Sequence, residues 1–374
     1  MMWSKGYVAE ETQAAFARAR DLTVGIENPA ERFVAYFAQW AGSAARGEVA
    51  LAREAAETLR REAENEGRAT ERVVGLRLLG LMCLLQGDLI EAQAHLKEAL
   101  RTYDPERDRN AQFRFGQDAG AAVPTYLAFT NWLLGDVGDT RACMEEAFAH
   151  GAESNPVSTR ANIYHLMAIF ELARGDVDAA RRAVQAVVDI SREYGLAFFS
   201  VTGAASNACA LARIGDLQTG AAGIREALAK CAEQGIKLLT TIHRGLLAEL
   251  EAEAQDVEAA LARIDEVLAL AAETGEHWTD AFLYRVRGEI LLKRNPVNVA
   301  AAEEAFLTAI AVAQQQKAKS FELRAAMSMA RLWRDQGKRD EARELLAPVY
   351  GWFTEGFDTI DLKEAKALLD ELCA

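Results

Sequence analysis

The chain contains eight short breaks that recur at nearly constant spacing. Each break joins the end of one stretch of helical apolar periodicity to the start of the next. The middle residues of the breaks are Gly47, Gly87, Gly135, Gly175, Gly215, Gln255, Asn295 and Gly337. Their steps of 40, 48, 40, 40, 40, 40 and 42 residues indicate a repeat array of helix pairs. A stacked array of this kind presents a long surface, so the pattern favours binding over catalysis.

Small and large apolar residues recur at fixed distances from each break. In the second unit, Leu79-Gly80 precedes Gly87, where we expect a positive φ that ends the first helix, while Asp88 is expected to cap the second. Small side chains allow the two helices to approach closely, and large ones fill the space to the next pair. The small position recurs as Ala52, Ala92, Thr140, Ala180, Gly220, Ala260, Ala302 and Ala342, and the large position as Leu96, Met144, Val184, Ile224, Ile264, Phe306 and Leu346.

This arrangement resembles the tetratricopeptide repeat (TPR), with a longer period that implies longer helices. We therefore predict a single all-α domain over residues 1–374, a right-handed α-solenoid (superhelix) of about eight TPR-like helix pairs. Residues 8–30 are expected to form the helix of an incomplete unit, and residues 31–358 the eight repeats. Residues 359–374 are expected to form a capping helix that begins with a capping box of Asp361 and Glu364.

Composition limits the partners and the compartment. The net charge of −14 argues against nucleic acid, because phosphate contacts require a basic surface. The five cysteines are far apart and lack CxxC spacing, which indicates reduced thiols in a cytoplasmic protein. No apolar run reaches the roughly 18–20 residues that span a bilayer, so we expect no membrane partner.

The sequence contains no recognisable catalytic constellation. It has no GxxxxGK[ST] phosphate loop, no HExxH or other metal spacing among its histidines, and no GxSxG elbow. We therefore predict no catalytic residues, no metal and no cofactor.

The least repeat-like stretch is residues 104–119, where the step of 48 places eight additional residues. Two interpretations remain open for this stretch. It is either a long inter-repeat loop on the edge of the array or a docking element for a neighbouring domain.

The TPR resemblance implies a set of groove residues. In such arrays, helix A residues spaced by three or four positions ahead of the break face the concave groove. The arginines of the eighth unit would form a basic patch for an acidic peptide or a carboxylate, unless they pair with neighbouring glutamates. The aromatic pair of the third unit would bind a ligand, unless it packs between units. The candidate ligand-binding residues are Phe129, Trp132, Asn162, His165, Arg285, Arg324, Arg331 and Arg334.

Several longer sequence motifs resemble those of one bacterial family. These motifs are MWSKG at residues 2–6, YDPERDR at 103–109, FRFGQD at 113–118, TGEHWTDAF at 274–282 and RGEILLK at 287–293. They are similar to the C-terminal TPR sensor region of proteins that join a class III adenylate/guanylate cyclase domain to a signalling ATPase of the STAND/AAA type. The resemblance implies a sensor arm that receives a signal and controls the ATPase. Since the chain has no Walker lysine, it implies the sensor portion alone, as a fragment or a stand-alone relative.

Three functions follow as alternatives. The preferred one is a non-catalytic protein-interaction and sensor module, which binds a peptide, a protein partner or a sister ATPase/cyclase domain in its groove. An open groove with unpaired arginines would favour it. The second is a small-molecule sensor, favoured by a closed apolar pocket around Phe129, Trp132 and His165. The third is an oligomerisation scaffold, favoured by the two-fold interface of a homodimer.

Overall fold

A computed structural model describes residues 28–153, 157–297 and 299–373, together with residues 11, 12, 14 and 18. In these ranges the chain forms 19 helices and no β-strand, which confirms the predicted all-α class. None of the helices in these ranges is long and apolar enough to cross a bilayer. Most of the helix predicted at residues 8–30 lies outside the described residues.

The helices pair in chain order into eight units. The first four units are α1 (Pro29–Ala45) with α2 (Val49–Asn65), α3 (Ala69–Gln86) with α4 (Leu89–Thr102), α7 (Ala119–Leu134) with α8 (Val137–Glu153), and α9 (Val157–Arg174) with α10 (Val177–Tyr194). The last four are α11 (Ala197–Arg213) with α12 (Leu217–Glu233), α13 (Thr241–Glu253) with α14 (Val257–Thr274), α15 (Asp280–Arg294) with α16 (Ala300–Gln316), and α17 (Lys319–Asp335) with α18 (Arg339–Gly351). The final helix is α19 (Ile360–Cys373).

The breaks form as their glycines predict. Gly87 has a φ of 82°, and Gly135 and Gly175 have similar values, so each ends its helix in the left-handed region. Asp88 occupies the N-cap position of α4 as predicted, but its carboxylate makes no bond to the α4 backbone and instead accepts a hydrogen bond from Arg53 (2.7 Å). An exposed carboxylate beside an arginine has a charged partner available in place of the helix amides.

Helix pairs are held close by glycines that face large side chains. A Cβ built on Gly80 of α3 would lie 2.6 Å from Cγ of Leu96 on α4. Leu96 is fully buried, as is Ala92 at the small position of the same helix. The pattern of small and large residues therefore sets the distance between the two helices of a pair.

Residues 104–119 lie against the edge of the array as two short helices, α5 (Pro105–Asp108) and α6 (Ala111–Phe115). The Asp108 carboxylate is buried and accepts a hydrogen bond from the Thr70 hydroxyl (2.6 Å). Phe115 is also buried, and its ring lies 5.7 Å from that of Phe37 on α1, edge to face. The stretch thus packs against the first two units.

The array winds tightly enough for its second turn to contact its first. The backbone amide of Lys237 donates to Ala45 O (3.3 Å), and the amides of His277 and Trp278 both donate to Leu85 O (2.7 and 3.1 Å). These residues are about 190 positions apart in sequence. In each case the break of an early unit meets the loop that follows a later unit, so one turn of the superhelix packs directly on the other.

Aromatic side chains fill the space between the two turns. Phe129 lies 4.9 Å from Trp278, and Trp132 lies 5.5 Å from Phe321, measured between ring centroids. Phe170 lies 5.6 Å from both Phe129 and Trp132. We call these five residues the axial aromatic cluster. They come from units three, four, seven and eight, so the cluster joins both turns.

The last helix covers the eighth unit. Leu362, Ala365 and Leu368 of α19 are buried in a cluster with Leu346 of α18. The predicted capping box is wrong, because α19 already begins at Ile360. Asp361 and Glu364 instead accept hydrogen bonds from Arg324 (2.9 Å) and Arg331 (3.0 Å) of α17.

Replacing Gly80 with alanine tests the close approach of α3 and α4. Alanine has the higher helix propensity by about 1 kcal/mol, but its methyl group would overlap Leu96. We expect Gly80→Ala to lower the free energy of unfolding by about 1–3 kcal/mol. Gly351→Ala is the matched control, since a Cβ on Gly351 meets nothing within 4 Å. Denaturant unfolding curves measure both, and equal effects of the two variants would contradict the packing argument.

Replacing Trp278 with alanine tests the contact between turns. The change removes a fully buried indole from the axial aromatic cluster and is expected to cost about 3–5 kcal/mol. Because it uncouples units that are distant in sequence, we expect thermal unfolding to split into two transitions, as in an ordinary repeat array. Trp333→Ala is the control, because Trp333 packs within one turn and donates to Glu303 (2.9 Å). A single transition in Trp278→Ala would show that the coupling between the two turns does not depend on this side chain.

Candidate functional site

The structure places the candidate groove residues in several different environments. Phe129 and Trp132 belong to the axial aromatic cluster and are only 4% and 6% exposed. The second turn of the superhelix packs on both rings, and Trp132 in addition lines a recess of about 210 Å³ with Leu323 and Phe353. The rings of Phe129 and Trp132 contact other aromatic side chains of the protein, Trp278 and Phe321.

The predicted basic patch of three arginines is not formed. Arg331 pairs with Glu364 (3.0 Å) and Arg334 with Glu371 (2.9 Å), both on α19. Arg324 donates from Nε to Asp361, also on α19 (2.9 Å), and from Nη2 to Arg174 O (2.7 Å). The physical reason is α19, which lies beside α17 and supplies the carboxylates.

Arg285 and Arg324 both line a recess of about 360 Å³ between the two turns. We call this recess the charged cleft. Its buried apolar floor is formed by Leu172, Leu246, Phe282 and Met327, and its charged residues are Arg174, Arg213, Glu249, Arg285, Arg324, Asp361 and Glu364. The cleft thus combines an apolar floor with a charged rim in which arginines outnumber carboxylates.

The centre of the charged cleft is a pair of arginines that share one carboxylate. Arg213 Nη2 donates to one oxygen of Glu249 (2.5 Å), and Arg285 Nη2 donates to the other (2.6 Å). Burial acts to raise the pKa of the Glu249 carboxyl, but the charges of Arg285 and Arg213 outweigh it and hold the pKa below its usual value. The group of three has one more arginine than carboxylates, and Glu289 lies 4.0 Å from Nη1 of Arg285 at its edge.

Arg324 connects the charged cleft to the end of α9. Its guanidinium lies 5.5 Å from the Trp132 ring centroid, and its Nε donates to Asp361 (2.9 Å). Two further donors bond to the carbonyls of Ala173 and Arg174. These carbonyls end a helix and lack intrahelical partners, so Arg324 satisfies them across the contact between turns.

Asn162 and His165 line a second recess, near the start of the array. It is a cavity of about 60 Å³, which we call the Arg77 cavity. Its walls come from the first helices of units one to five, from residues 115–117 and from the loop before α13. The lining residues are Phe37, Trp40, Arg77, Leu81, Phe115, Gln117, Tyr126, Asn162, His165, Leu166, Phe198, Leu238 and Leu239. It is apolar-lined, but Phe129 and Trp132 are not part of it.

Among the described residues that line this cavity, Arg77 is the one with a charge, and it is 1% exposed. Its Nη1 donates to Gln117 Oε1 (2.6 Å) and its Nη2 donates to Phe115 O (3.2 Å). Gln117 Oε1 also accepts from the Tyr126 hydroxyl (3.1 Å). Burial lowers the pKa of Arg77, and the charges of Tyr126 and Asp118 only partly oppose this effect.

His165 is held neutral beside Arg77. Burial, and then the nearby His243, lower the pKa of His165 to about 3. Its ring packs against Phe198 and Phe199 at 6.0 and 5.8 Å. The buried Nδ1 has no hydrogen-bond partner among the described residues. The cavity therefore presents a neutral imidazole with one unused position.

Sequence reasoning missed Arg77 and Arg213. Arg77 lies 10 residues before the break at Gly87 (87 − 77), in the same register as His165 before Gly175. That position points to the superhelix axis, so the signal was present in the second unit. Arg213 gave no such signal, because it lies at the end of α11.

One trio of potential metal ligands occurs in the described residues. Ligand atoms of Cys83, Glu91 and His95 lie within 4.8 Å of one another. Burial raises the pKa of the Cys83 thiol to about 12, so it stays protonated, and Glu91 is paired with Arg53 (2.6 Å). Thiolates and free carboxylates bind metals, and this trio offers neither.

The comparisons with known proteins establish the fold. No protein-family model matches the chain, and no curated protein matches its sequence. Among solved structures, the chain is similar to a Rap protein complexed with Competence and Sporulation Factor. The identity is 14%, the alignment covers 99% of this chain and 97% of that one, and the TM-score is 0.61. The fold is a TPR-like solenoid.

Two more distant likenesses agree with this solenoid but carry no further argument. The apo form of RapI matches at 11% identity and a TM-score of 0.45, with coverage of 97% and 94%. A STAND protein with a tetratricopeptide repeat sensor from Pyrococcus horikoshii matches at 14% identity and a TM-score of 0.42. The alignment covers 97% of this chain and 54% of that protein. The narrower resemblance to cyclase-linked ATPases stays a prediction.

Glu171 makes the stability of the cleft region depend on pH. Burial raises the pKa of its carboxyl from 4.5 to about 7, although Arg174 lies 3.2 Å away. The folded state therefore binds more protons than the unfolded state between these values, and its stability falls as pH rises from 4.5 through 7.

Glu171→Gln removes this dependence. We expect the variant to gain up to about 3 kcal/mol of unfolding free energy relative to the parent between pH 4.5 and 8, since one pKa unit corresponds to about 1.4 kcal/mol. Urea unfolding across this pH range measures the difference. Parallel pH profiles for the two proteins would show that Glu171 titrates normally.

Proposed function

We propose that the protein is a non-catalytic interaction module that binds a segment of a partner protein in the charged cleft. The observation that carries this proposal is the group of Arg213, Glu249 and Arg285, in which two arginines share one carboxylate above an apolar floor. The preferred segment has an aspartate or glutamate next to a large apolar residue.

The acidic residue of the segment would complete the charge balance of the cleft. Arg213 and Arg285 have ten N–H donors between them, and Glu249 uses one from each. The Nε of Arg285 is buried and has no hydrogen-bond partner among the described residues. A second carboxylate beside these arginines forms charge-assisted hydrogen bonds, which are stronger than neutral ones.

The apolar residue of the segment would contact the floor of the cleft. Leu246, Phe282 and Met327 are each at most 5% exposed, yet all three line the recess. A leucine or phenylalanine side chain inserted there would bury its own surface against them. The combination of a central apolar anchor and a polar rim is typical of protein–peptide contacts.

Two further observations support a regulatory role for this binding. The Rap protein with the similar fold was solved in a complex with Competence and Sporulation Factor. The sequence motifs at residues 103–118 and 274–293 resemble the sensor region of cyclase-linked signalling ATPases. In that setting, a sister ATPase or cyclase domain supplies the segment, and its binding controls signalling.

A displayed library of random peptides tests the proposal without knowledge of the partner. We expect the protein to enrich peptides in which aspartate or glutamate adjoins leucine or phenylalanine. Arg213→Gln should weaken the enriched peptides about tenfold or more, because a hydrogen bond to a charged group contributes about 1.5–3 kcal/mol. This variant leaves Glu249 paired with Arg285, so the fold should stay intact.

Arg287→Gln is the matched control. Arg287 pairs with Asp265 (2.8 Å) on the surface outside the cleft, so its loss should leave peptide affinity unchanged. Fluorescence anisotropy of one labelled, enriched peptide measures all three proteins. The absence of any enriched motif, or equal affinity of the parent and Arg213→Gln, would contradict the proposal.

A further inference from the structure

Within the described part of the chain, Arg77 forms no ion pair, and the carboxylate of Asp118 acts on it only from a distance. Among the described residues, no carboxylate lies within ion-pair distance of its guanidinium, whose two hydrogen bonds go to a side-chain amide and a backbone carbonyl. Its Nε is buried and makes no hydrogen bond to any of these residues. Removing a charge from water without a counter-charge is costly, so such groups are usually paired.

Buried carboxylates elsewhere in the described residues pair with arginines that stay partly exposed. Glu251, which is 2% exposed, accepts hydrogen bonds from both Arg225 (2.8 Å) and Arg263 (2.6 Å). Glu71, which is 3% exposed, accepts from Arg68 and Arg114. In these groups a buried carboxylate has two arginines, whereas Arg77 faces a cavity.

The walls of the cavity suit a small molecule with an apolar body. Phe37, Leu81 and Leu166 are buried apolar residues, and the half-buried Trp40 and Phe198 lie at its edge. A volume of about 60 Å³ exceeds the space of one water by several fold. It accommodates a carboxylate and a short chain of carbon atoms, but not a peptide.

A second buried group is directed at the same space. His165 lines the cavity, is 2% exposed and leaves Nδ1 without a partner among the described residues. A neutral imidazole donates from one nitrogen and accepts at the other. It can therefore donate to a carboxylate that also faces Arg77.

We propose that the Arg77 cavity binds a small aliphatic carboxylic acid, whose carboxylate pairs with Arg77 and whose apolar body contacts Phe37, Trp40 and Phe198. The ligand supplies the missing counter-charge, and the unused donor of Arg77 forms a charge-assisted hydrogen bond. This site is separate from the charged cleft, and neither proposal depends on the other.

Such a ligand would connect several units in the first turn of the superhelix. It contacts α1, α3, α9 and α11, which belong to four different units, together with Leu239 in the loop before α13. Leu239 has a φ of 60°, a strained value for a residue with a Cβ, and its amide donates to Glu276 (2.9 Å). Occupancy of the cavity is thus transmitted to the contact between turns.

Butyrate and butyramide are the probes for this site. They have nearly the same shape, but only butyrate carries a charge. Saturation-transfer NMR measures their affinities for the full-length protein. We expect butyrate to bind in the millimolar range and about tenfold tighter than butyramide, which is the effect of one charge-assisted hydrogen bond.

Two variants locate the binding of butyrate. Arg77→Met keeps an unbranched apolar side chain without the guanidinium charge and should reduce butyrate affinity to that of butyramide. Arg244→Met is the matched control, because Arg244 is also largely buried with a lowered pKa but lies outside the cavity. Arg213→Gln in the charged cleft should likewise retain the preference for butyrate.

The outcomes separate the two sites. Equal binding of butyrate and butyramide to the parent, or binding of neither at tens of millimolar, would overturn the proposal even if Arg77→Met did not fold. Retention of the preference in folded Arg77→Met would also overturn it. Loss of the preference in Arg213→Gln would show that butyrate binds in the charged cleft, which would overturn this inference but not the proposed function.

Discussion

The backbone contact of His277 and Trp278 with Leu85 holds the two turns of the superhelix together. Both amides donate to one carbonyl at the end of α3, and the Trp278 indole enters the axial aromatic cluster. The loop is fixed by Glu276, which accepts from the Leu239 amide, the Thr241 hydroxyl and the Trp278 indole. Burial raises the pKa of Glu276 to about 6, while these three hydrogen bonds act in the opposite direction and favour the carboxylate. A solenoid whose units contact only their neighbours has no such long-range contact.

Packing of one turn on the other replaces a single open groove with separate recesses, of which the Arg77 cavity and the charged cleft differ most in chemistry. The course of α9 shows how: His165 lines the Arg77 cavity, Phe170 lies in the axial aromatic cluster, and Arg174 lines the charged cleft. Helix α7 runs in the same way from Tyr126 at the cavity to Trp132 in the cluster. The aromatic cluster therefore separates a small apolar cavity with one buried charge from a larger cleft with a charged rim. Their different chemistry is the reason to assign them different ligands.

Local features of the fold could be predicted from the sequence, because they depend on residues that are close in the chain. The period located every helix pair, and Gly80 and Leu96 gave the packing within a pair. The tightness with which the superhelix winds depends on contacts between residues about 190 positions apart, such as Lys237 with Ala45. The repeat pattern carries no information about contacts at this separation. For that reason Phe129 was expected in a groove, although it is buried. Of the candidate site residues, His165 lines the Arg77 cavity and Arg285 the charged cleft, and their register before the break is a local property that the sequence contains.

Helix α9 also provides a physical connection between the two recesses. Coupling between sites requires that occupancy of one change the stability of contacts at the other. At the cavity, a bound carboxylate would add contacts to the first half of α9 through His165. At the cleft, the last carbonyls of the same helix, those of Ala173 and Arg174, accept hydrogen bonds from Arg324. Arg324 in turn pairs with Asp361 at the start of α19 (2.9 Å). The same helix therefore contributes contacts to both recesses, and any effect of one ligand on the other through α9 would require a change in these contacts.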